Sequence, residues 1–380
     1  MNQKKIIYFY TSDQPSYDHN HSGLEITSIS NNKFAMEAHS DGMIAMWDKL
    51  ASTLGYIVYV IIDAHNGFGH RQYSPSTAIY VISDIKYLLD YINPEDIIIA
   101  RGGFKPWFKT LGALKKRRQN WILFYRANTN RHGWPFWDVT LNDLGDNSRN
   151  FIHLNQYYFG FSKPVNEDIF YWTQDDIKSM NVCIGASHVH SRKGQYLAVR
   201  AASHYYSKYG NKLTGVLPGG FIRCSYNTEI LLSRSKNFHD IDVLGHIKRE
   251  DLRECYCKSS MLIHAGTGGQ NDRSVLEAMA CGTPVVLSSC SHFSSFVCDF
   301  KGPNTITSPN SESISEDIHD MLTDENPWKP QEVVDYYKKH NGMNEVCVPK
   351  MVRLFKWLEN NEPHRPDMSI PRSIEEWKGI

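Results

Sequence analysis

The sequence predicts an α/β fold made of two Rossmann-like domains. Short apolar runs rich in β-branched and aromatic residues alternate with segments of helical periodicity, which is typical of a parallel sheet covered by helices. The alternation pauses in a polar segment at residues 171–179 and starts again near residue 181. The chain has 380 residues, which suits two domains of ordinary size.

In the first half, four apolar runs are predicted to be strands. They occupy residues 6–10, 56–62, 97–100 and 121–125. Between the first two runs, apolar residues recur at helical spacing over 43–54, and Gly55 is expected to end this helix. Residues 83–92 are predicted as a further helix that ends before Pro94.

In the second half the same alternation gives five strands and three helices. The strands are predicted at 181–185, 212–217, 241–244, 261–264 and 284–287, and the helices at 194–209, 249–258 and 274–281. We therefore divide the chain into an N-terminal domain (1–175), a C-terminal domain (176–345) and a final helix with a tail (346–380). The final helix is expected to pack back toward the N-terminal domain.

Composition limits the function classes. Lys plus Arg and Asp plus Glu number 41 each, so the formal net charge is zero, which disfavours charge-driven binding of nucleic acid. The eight cysteines include no C-x-x-C pair, so neither a disulfide framework nor a structural zinc site is expected. No apolar run is long enough to cross a bilayer. We expect a reducing, cytoplasmic location.

The most informative segment is HAGTGGQNDRSVLEAMACGTPVVLS at residues 264–288. A Gly-rich loop follows a predicted strand, and a helix opens at its end. Glycines allow a ligand to approach the backbone closely, and the amino end of a helix favours phosphate. Glu277 lies about one turn inside this helix, where it can accept hydrogen bonds from two ribose hydroxyls. The alternative is a plain strand–loop–helix connection whose glycines only turn the chain.

The run VLEAMACGTPVVLSS closely resembles the donor-binding motif of the family-four retaining glycosyltransferases, which have the two-domain GT-B fold. Three further segments agree with that family in the same order. They are SKPVNEDIFYW (162–172), IGASHVHSRKGQYLAVRAA (184–202) and IDVLGHIKREDLRECYCKSSMLIHAG (241–266). The resemblance implies two domains facing across a cleft. It also implies sugar transfer from a UDP- or GDP-linked donor with retention, without a metal and without a permanently bound cofactor.

The resemblance also assigns site residues. In that family a Lys-Gly pair holds the donor diphosphate, and Lys193 with Gly194 match it. The residues implied in donor binding are Gly42, Lys193, His246, Ile247, Gly268, Gly269, Gln270, Asn271, Asp272, Arg273, Ser274 and Glu277. The catalytic candidates are Lys193, Arg192, Arg126, Asn128 and Asp138. The last three follow the strand at 121–125, after which the family often places a cleft histidine.

Two positions depart from the family pattern. The first Glu of the family's E-x7-E motif falls on Gly269, so its role passes to Gln270, Asn271 or Asp272, or is lost. The family's Arg after the first strand of this domain falls on Ala186, and Arg192 is the candidate to replace its charge. These departures leave nucleotide binding as the expectation and leave the sugar open.

Other polar clusters receive a structural interpretation. The pairs Asp240 and Asp242, His188 and His190, and His39 and Asp41 have ligand-like types, but none comes with a full set of ligands, so no metal is expected. The basic run Lys115, Lys116, Arg117 and Arg118 is interpreted as a solvated helix end. Peripheral contact with an anionic membrane, or with a phosphate-bearing acceptor, is the alternative.

The acceptor stays open at this point: a glycan, a lipid-linked sugar, a small molecule or modified DNA. Three alternative functions accompany the leading one. They are a DNA-modifying glycosyltransferase, a nucleotide-sugar epimerase, and a pseudoenzyme that binds nucleotide sugar without turnover, the last suggested by Gly269.

Overall fold

The computed structural model describes most of the chain. The described residues are 3–12, 41–63, 69–82, 91–101, 111–112, 115–116, 120–125, 138–142, 157–160, 163–185, 189, 193–220, 226–266, 273–290 and 302–363. The chain forms two compact units. Unit 1 consists of Met1–Pro164 with Cys347–Ile380, and unit 2 consists of Val165–Val346.

Unit 1 is built on one twisted sheet, in the order β3-β4-β2-β1-β5-β6-β7-β8 among the described residues. Its strands are β1 (Lys5–Ser12), β2 (Ile57–Asp63), β3 (Gly69–Ser74), β4 (Thr77–Ile82), β5 (Ile97–Arg101), β6 (Ile122–Tyr125), β7 (Val139–Asn142) and β8 (Tyr157–Gly160). All described neighbours pair in parallel except β3 and β4, which form an antiparallel pair. The central strands are apolar on both faces, as expected for a sheet covered by helices.

Helix α1 (Gly42–Leu54) packs on this sheet through Trp47, which is fully buried. The Asp41 carboxylate caps the helix by accepting a 2.8 Å hydrogen bond from the Met43 N–H. Gly55 ends the helix with a φ of +72°, as the sequence predicts.

Unit 2 has a sheet in which all described strand pairs are parallel, in the order β11-β10-β9-β12-β13-β14. Its strands are β9 (Met180–Ile184), β10 (Thr214–Pro218), β11 (Asp240–Gly245), β12 (Ser259–His264), β13 (Val285–Ser288) and β14 (Asn304–Thr307). Its helices are α2 (Gln195–Tyr209), α3 (Tyr226–Ser235), α4 (Arg249–Lys258), α5 (Arg273–Ala280), α6 (Ser311–Thr323) and α7 (Pro330–Asn341). Two apolar clusters, one on each face of the sheet, form the core. The prediction of an α/β protein with two Rossmann-like domains is confirmed.

The chain returns to unit 1 through a π-helical turn (Met343–Cys347) and ends its described part in α8 (Val348–Glu359). Helix α8 packs on α1, where the rings of Phe355 and Trp47 lie 6.1 Å apart. The indole N–H of Trp121 donates a 3.0 Å hydrogen bond to the carbonyl of Leu358. The last helix therefore belongs to the N-terminal sheet, as predicted.

The units divide at residues 164/165 and 346/347, whereas the sequence-based division lies at 175/176 and 345/346. The first difference has a packing cause. Val165 and Phe170 are buried in the core of unit 2, where the Phe170 ring lies 6.1 Å from the Tyr256 ring. The polar character of 171–179 therefore does not mark the point at which the chain crosses between the units.

Candidate functional site

The sheet of unit 2 has a topological switch point between β9 and β12. From β9 the chain continues through β10 to β11 on one side, and β12 lies on the other side of β9. Ligands of open parallel sheets bind outside the carboxyl ends of the strands at such a point. The residues that follow β9 and β12 are therefore the first candidates for a binding site.

Two backbone contacts bring the chain after β9 against the end of β12. The Gly185 N–H donates a 2.9 Å hydrogen bond to the carbonyl of Ile263. Gly194 has a φ of +70°, and a Cβ atom on it would lie 1.8 Å from the carbonyl oxygen of Ala265. Only glycine fits this approach, which places the half-buried Lys193 beside the end of β12.

Helix α5 begins just beyond β12 and carries the polar groups of the other side. Ser274 lies in its first turn, and its buried Oγ has no hydrogen-bond partner among the described residues. Glu277 follows one turn later and is also buried. A buried hydroxyl without a hydrogen-bond partner costs free energy of folding. A polar ligand that bonds to Ser274 would remove this cost.

The Glu277 carboxylate is held on one side by Arg249, at the start of α4. The Arg249 Nη1 lies 3.2 Å from Glu277 Oε1, and the Arg249 side chain is 39% exposed. This ion pair fixes the side chain through Oε1, and within the described residues Oε2 makes no hydrogen bond. Arg249 was not predicted as a site residue. It lies 28 positions from Glu277 in the sequence, and only the fold shows that the two side chains meet.

His246 and Ile247 follow β11 at the same edge of the sheet. The exposed His246 ring lies against Gly220, where a Cβ atom would come within 2.1 Å of Nε2. The Gly219 N–H donates a 2.7 Å hydrogen bond to the Gly245 carbonyl, which ties the ends of β10 and β11 together. Ile247 packs against the core beneath.

The structure thus brings Lys193, Arg273, Ser274, Glu277, His246 and Ile247 to the carboxyl edge of one sheet. Eight other predicted site residues lie outside the described residues: Arg126, Asn128, Arg192, Gly268, Gly269, Gln270, Asn271 and Asp272. Gly42 is described and lies in unit 1, where it is the first residue of α1 and is buried.

Asp138 requires a correction. It stands directly before β7, at the amino ends of the strands, so it is at the edge of the sheet opposite to the one where ligands bind. Its carboxylate accepts a 2.7 Å hydrogen bond from the Lys115 ammonium and a 2.8 Å bond from the Ile122 N–H. Asp138 is therefore a structural residue rather than a member of the catalytic set.

The same ion pair corrects the interpretation of Lys115. Its side chain is 2% exposed, and its ammonium also donates to the carbonyl of Asn120. Lys115 is not a solvated surface charge and cannot contact a membrane. Lys116 is exposed, and Arg117 and Arg118 lie outside the described residues.

The described part of the chain contains no group of three or more His, Cys, Asp and Glu side chains placed to hold a metal ion. In the same residues, no helix has both the length and the apolar character needed to cross a membrane.

Comparison with known proteins agrees with the two-domain fold. Residues 178–340 match the family model described as glycosyl transferases group 1. Solved structures similar to the whole chain include Anabaena HepE in complex with UDP and glucose, at 12% identity and a TM-score of 0.66 over 94% of this chain and 100% of that one. Sucrose-phosphate synthase from Thermosynechococcus elongatus has 13% identity and a TM-score of 0.64 over 94% and 100%.

A third structure, AviGT4, a glycosyltransferase involved in avilamycin A biosynthesis, has 14% identity and a TM-score of 0.67 over 93% of this chain and 98% of that one. At these identities the structures establish the shared fold, which is GT-B. No protein of curated function matches the sequence significantly. The family match lies within unit 2, which is therefore similar to a glycosyl transferases group 1 domain.

Proposed function

We propose that the protein transfers a sugar from a nucleotide-sugar donor to an acceptor hydroxyl. In this proposal, unit 2 binds the donor and unit 1 binds the acceptor. The observation that carries the proposal is the arrangement of Glu277, a buried carboxylate held by Arg249 one turn inside α5, at the edge of the sheet that also carries Lys193. A ribose presents two neighbouring hydroxyls, and a fixed carboxylate is suited to accept hydrogen bonds from them.

The diphosphate of the donor would lie between Lys193 and the amino end of α5. The Lys193 ammonium, the first-turn N–H groups of α5 and the Ser274 hydroxyl are donors suited to phosphate oxygens. As the bond to the sugar breaks, negative charge grows on the diphosphate. Preorganised donors therefore stabilise the transition state more than the ground state. The chain thus supplies positioning and charge stabilisation of the leaving group.

UDP is our first choice of nucleotide, because the similar HepE structures contain UDP and UDP-glucose. Retention of the anomeric configuration and catalysis without a metal are part of the proposal, and both rest on the family resemblance alone. We also propose a cytoplasmic location on the pattern of cysteines. The epimerase and pseudoenzyme functions remain alternatives that the transfer assay described next separates. The DNA-modifying function is a further alternative, and the salt dependence of duplex DNA binding tests it.

The experiment is a transfer assay with UDP- and GDP-linked sugars against a panel of acceptors, with release of nucleoside diphosphate as the readout. We expect release with one donor, acceleration by one acceptor class, and full activity in EDTA. Interconversion of the donor sugar without release would indicate an epimerase. Nucleotide binding without any release or interconversion would indicate a pseudoenzyme.

Lys193→Met should reduce turnover by roughly 100-fold or more, because a charge-assisted contact to the leaving group is lost. The control is Lys212→Met, which removes an exposed lysine of the same unit that pairs with Asp240 at 3.5 Å. Equal activity in the two variants would contradict the role of Lys193.

A further inference from the structure

Unit 1 has a topological switch point of its own, between β1 and β5. From β1 the chain continues to β2 on one side, and β5 lies on the other side of β1. Three polar residues meet at this point. Tyr10 lies near the end of β1, Arg101 is the last residue of β5, and Asp41 precedes α1. By the same rule that locates the site of unit 2, this is where unit 1 should bind a ligand.

The Arg101 guanidinium is held by a carboxylate at one nitrogen and by two aromatic rings. Its Nη1 lies 3.2 Å from Asp41 Oδ2, and the rings of Tyr10 and Tyr125 lie 4.8 and 5.9 Å from its central carbon. The other oxygen of Asp41, Oδ1, accepts from the Met43 N–H, and Oδ2 also accepts from the Tyr10 hydroxyl at 3.4 Å. The carboxylate is therefore fully engaged and fixes the orientation of the guanidinium.

Most of the hydrogen-bonding capacity of Arg101 is not used. A guanidinium has five N–H donors, and within the described part of the chain Arg101 makes one hydrogen bond, to Asp41. Its side chain is 22% exposed, and no Arg101 nitrogen is among the buried polar atoms of the described residues that lack a partner, so the remaining donors border solvent. A ligand that brings acceptor oxygens would pair with these donors in place of water. Because both Asp41 oxygens are engaged, the cluster offers donors rather than acceptors.

We propose that Arg101 binds a phosphate group of the acceptor substrate, so that the acceptor is a phosphate-bearing compound such as a sugar phosphate. The planar fork of a guanidinium matches the oxygens of a phosphate, whereas a neutral hydroxyl engages only one donor. The assignment to the acceptor rests on the proposed function, in which unit 2 binds the donor. The phosphate itself could also belong to the donor diphosphate, and the test separates these two sources.

The test measures binding to the full chain by calorimetry, with glucose 6-phosphate and glucose as probes and with UDP present or absent. We expect glucose 6-phosphate to bind more tightly than glucose. Arg101→Lys should weaken the binding of glucose 6-phosphate about tenfold or more, because the point charge of an ammonium replaces the planar guanidinium. Arg101→Lys keeps a cation beside Asp41, so the fold should be retained. The control is Arg71→Lys on the exposed part of β3.

A second variant protects the test from a folding artefact. The double variant Asp41→Asn with Arg101→Gln removes both charges together, so that neither is left buried alone. It should also lose the preference for glucose 6-phosphate while UDP affinity stays within about twofold of the wild type.

The outcomes are distinct. Equal binding of the two probes to the wild type, or unchanged preference in both variants, would overturn the inference. A loss of UDP affinity in Arg101→Lys would also overturn it, because the phosphate would then be that of the donor. Arg101-dependent binding of glucose 6-phosphate by a protein that does not bind UDP would leave the phosphate site standing and remove the proposed donor function.

Discussion

Lys178 is a partly buried lysine whose surroundings disfavour its charged form. Its ammonium donates a 2.7 Å hydrogen bond to the Thr283 hydroxyl, which in turn donates to the Tyr256 carbonyl. Burial lowers the pKa of Lys178 to about 8, against smaller opposing effects of Cys257, Cys281 and Asp176. Below pH 8 the folded protein therefore holds a charge that the interior disfavours.

This pKa predicts an alkaline gain in stability. Between pH 8 and 10.5 the unfolded chain keeps the Lys178 proton while the folded chain loses it, so the unfolded state binds more protons and stability rises with pH. The penalty below pH 8 is about 3 kcal/mol at most. Lys178→Met should therefore raise the free energy of unfolding at pH 7, and the advantage over wild type should shrink by pH 10. Urea unfolding of both proteins at the two pH values tests this; a constant difference would contradict it.

Gly194 carries a backbone contact on which the donor site depends. Gly194→Ala should destabilise the fold by about 2–4 kcal/mol, because the new Cβ overlaps the Ala265 carbonyl and the backbone is left-handed. The matched control is Gly210→Ala at the other end of α2, with a φ of +76° and no atom within 4 Å of the added Cβ. That substitution should cost only about 1–2 kcal/mol. Thermal unfolding of both variants tests the difference, and equal losses would contradict the close approach.

At the scale of elements, α8 stabilises a sheet from which it is distant in sequence. Phe355→Ala should lower the free energy of unfolding by about 3–5 kcal/mol, because a fully buried ring between Trp47 and Tyr56 is removed. Arg353→Ala, an exposed position of the same helix, should change it by less than about 0.5 kcal/mol. Denaturant unfolding measures both, and a small effect of Phe355→Ala would show that α8 is not part of the core of unit 1.

The elements that sequence predicts are those with a strong apolar pattern. The predicted helix at 249–258 coincides with α4, and the strand at 261–264 lies within β12. The hairpin of β3 and β4 was missed because GHRQYS in β3 is exposed and has no apolar alternation. Strand β14 has only four residues, NTIT, which is too short for a period to show. The predicted helix at 83–92 falls mostly outside the described residues.

Part of the candidate site could be predicted from the sequence and part could not. Lys193 and Glu277 were predicted because they belong to local sequence motifs, and the fold brings both to one edge of the sheet of unit 2. Two pairings depend on the fold alone: Glu277 with Arg249, and Asp138 with Lys115. Sequence position suggested that Asp138 lay near a ligand because it follows the strand at 121–125, but it directly precedes β7 and so lies at the amino ends of the strands.

At the scale of the molecule, each unit carries polar residues at its own switch point, while the formal net charge of the whole chain is zero. The predicted binding is therefore local and specific rather than driven by a long-range field. Affinity for duplex DNA at 0.15 M salt should be weaker than about 10 μM, with a shallow dependence on salt. A fluorescence titration at several salt concentrations tests this; tight binding with a steep slope would favour the DNA-modifying alternative.

We propose above all that the carboxyl edge of unit 2 is a nucleotide site in which Glu277 binds ribose. Calorimetric titration of UDP into the wild type, Glu277→Gln and Glu254→Gln tests it most directly. Glu254 is an exposed carboxylate on α4 that pairs with Lys258, so its variant is the matched control. We predict that Glu277→Gln weakens UDP binding by more than about tenfold while Glu254→Gln binds as the wild type does. Equal affinity of all three proteins, or no binding of UDP or GDP to the wild type, would contradict the account.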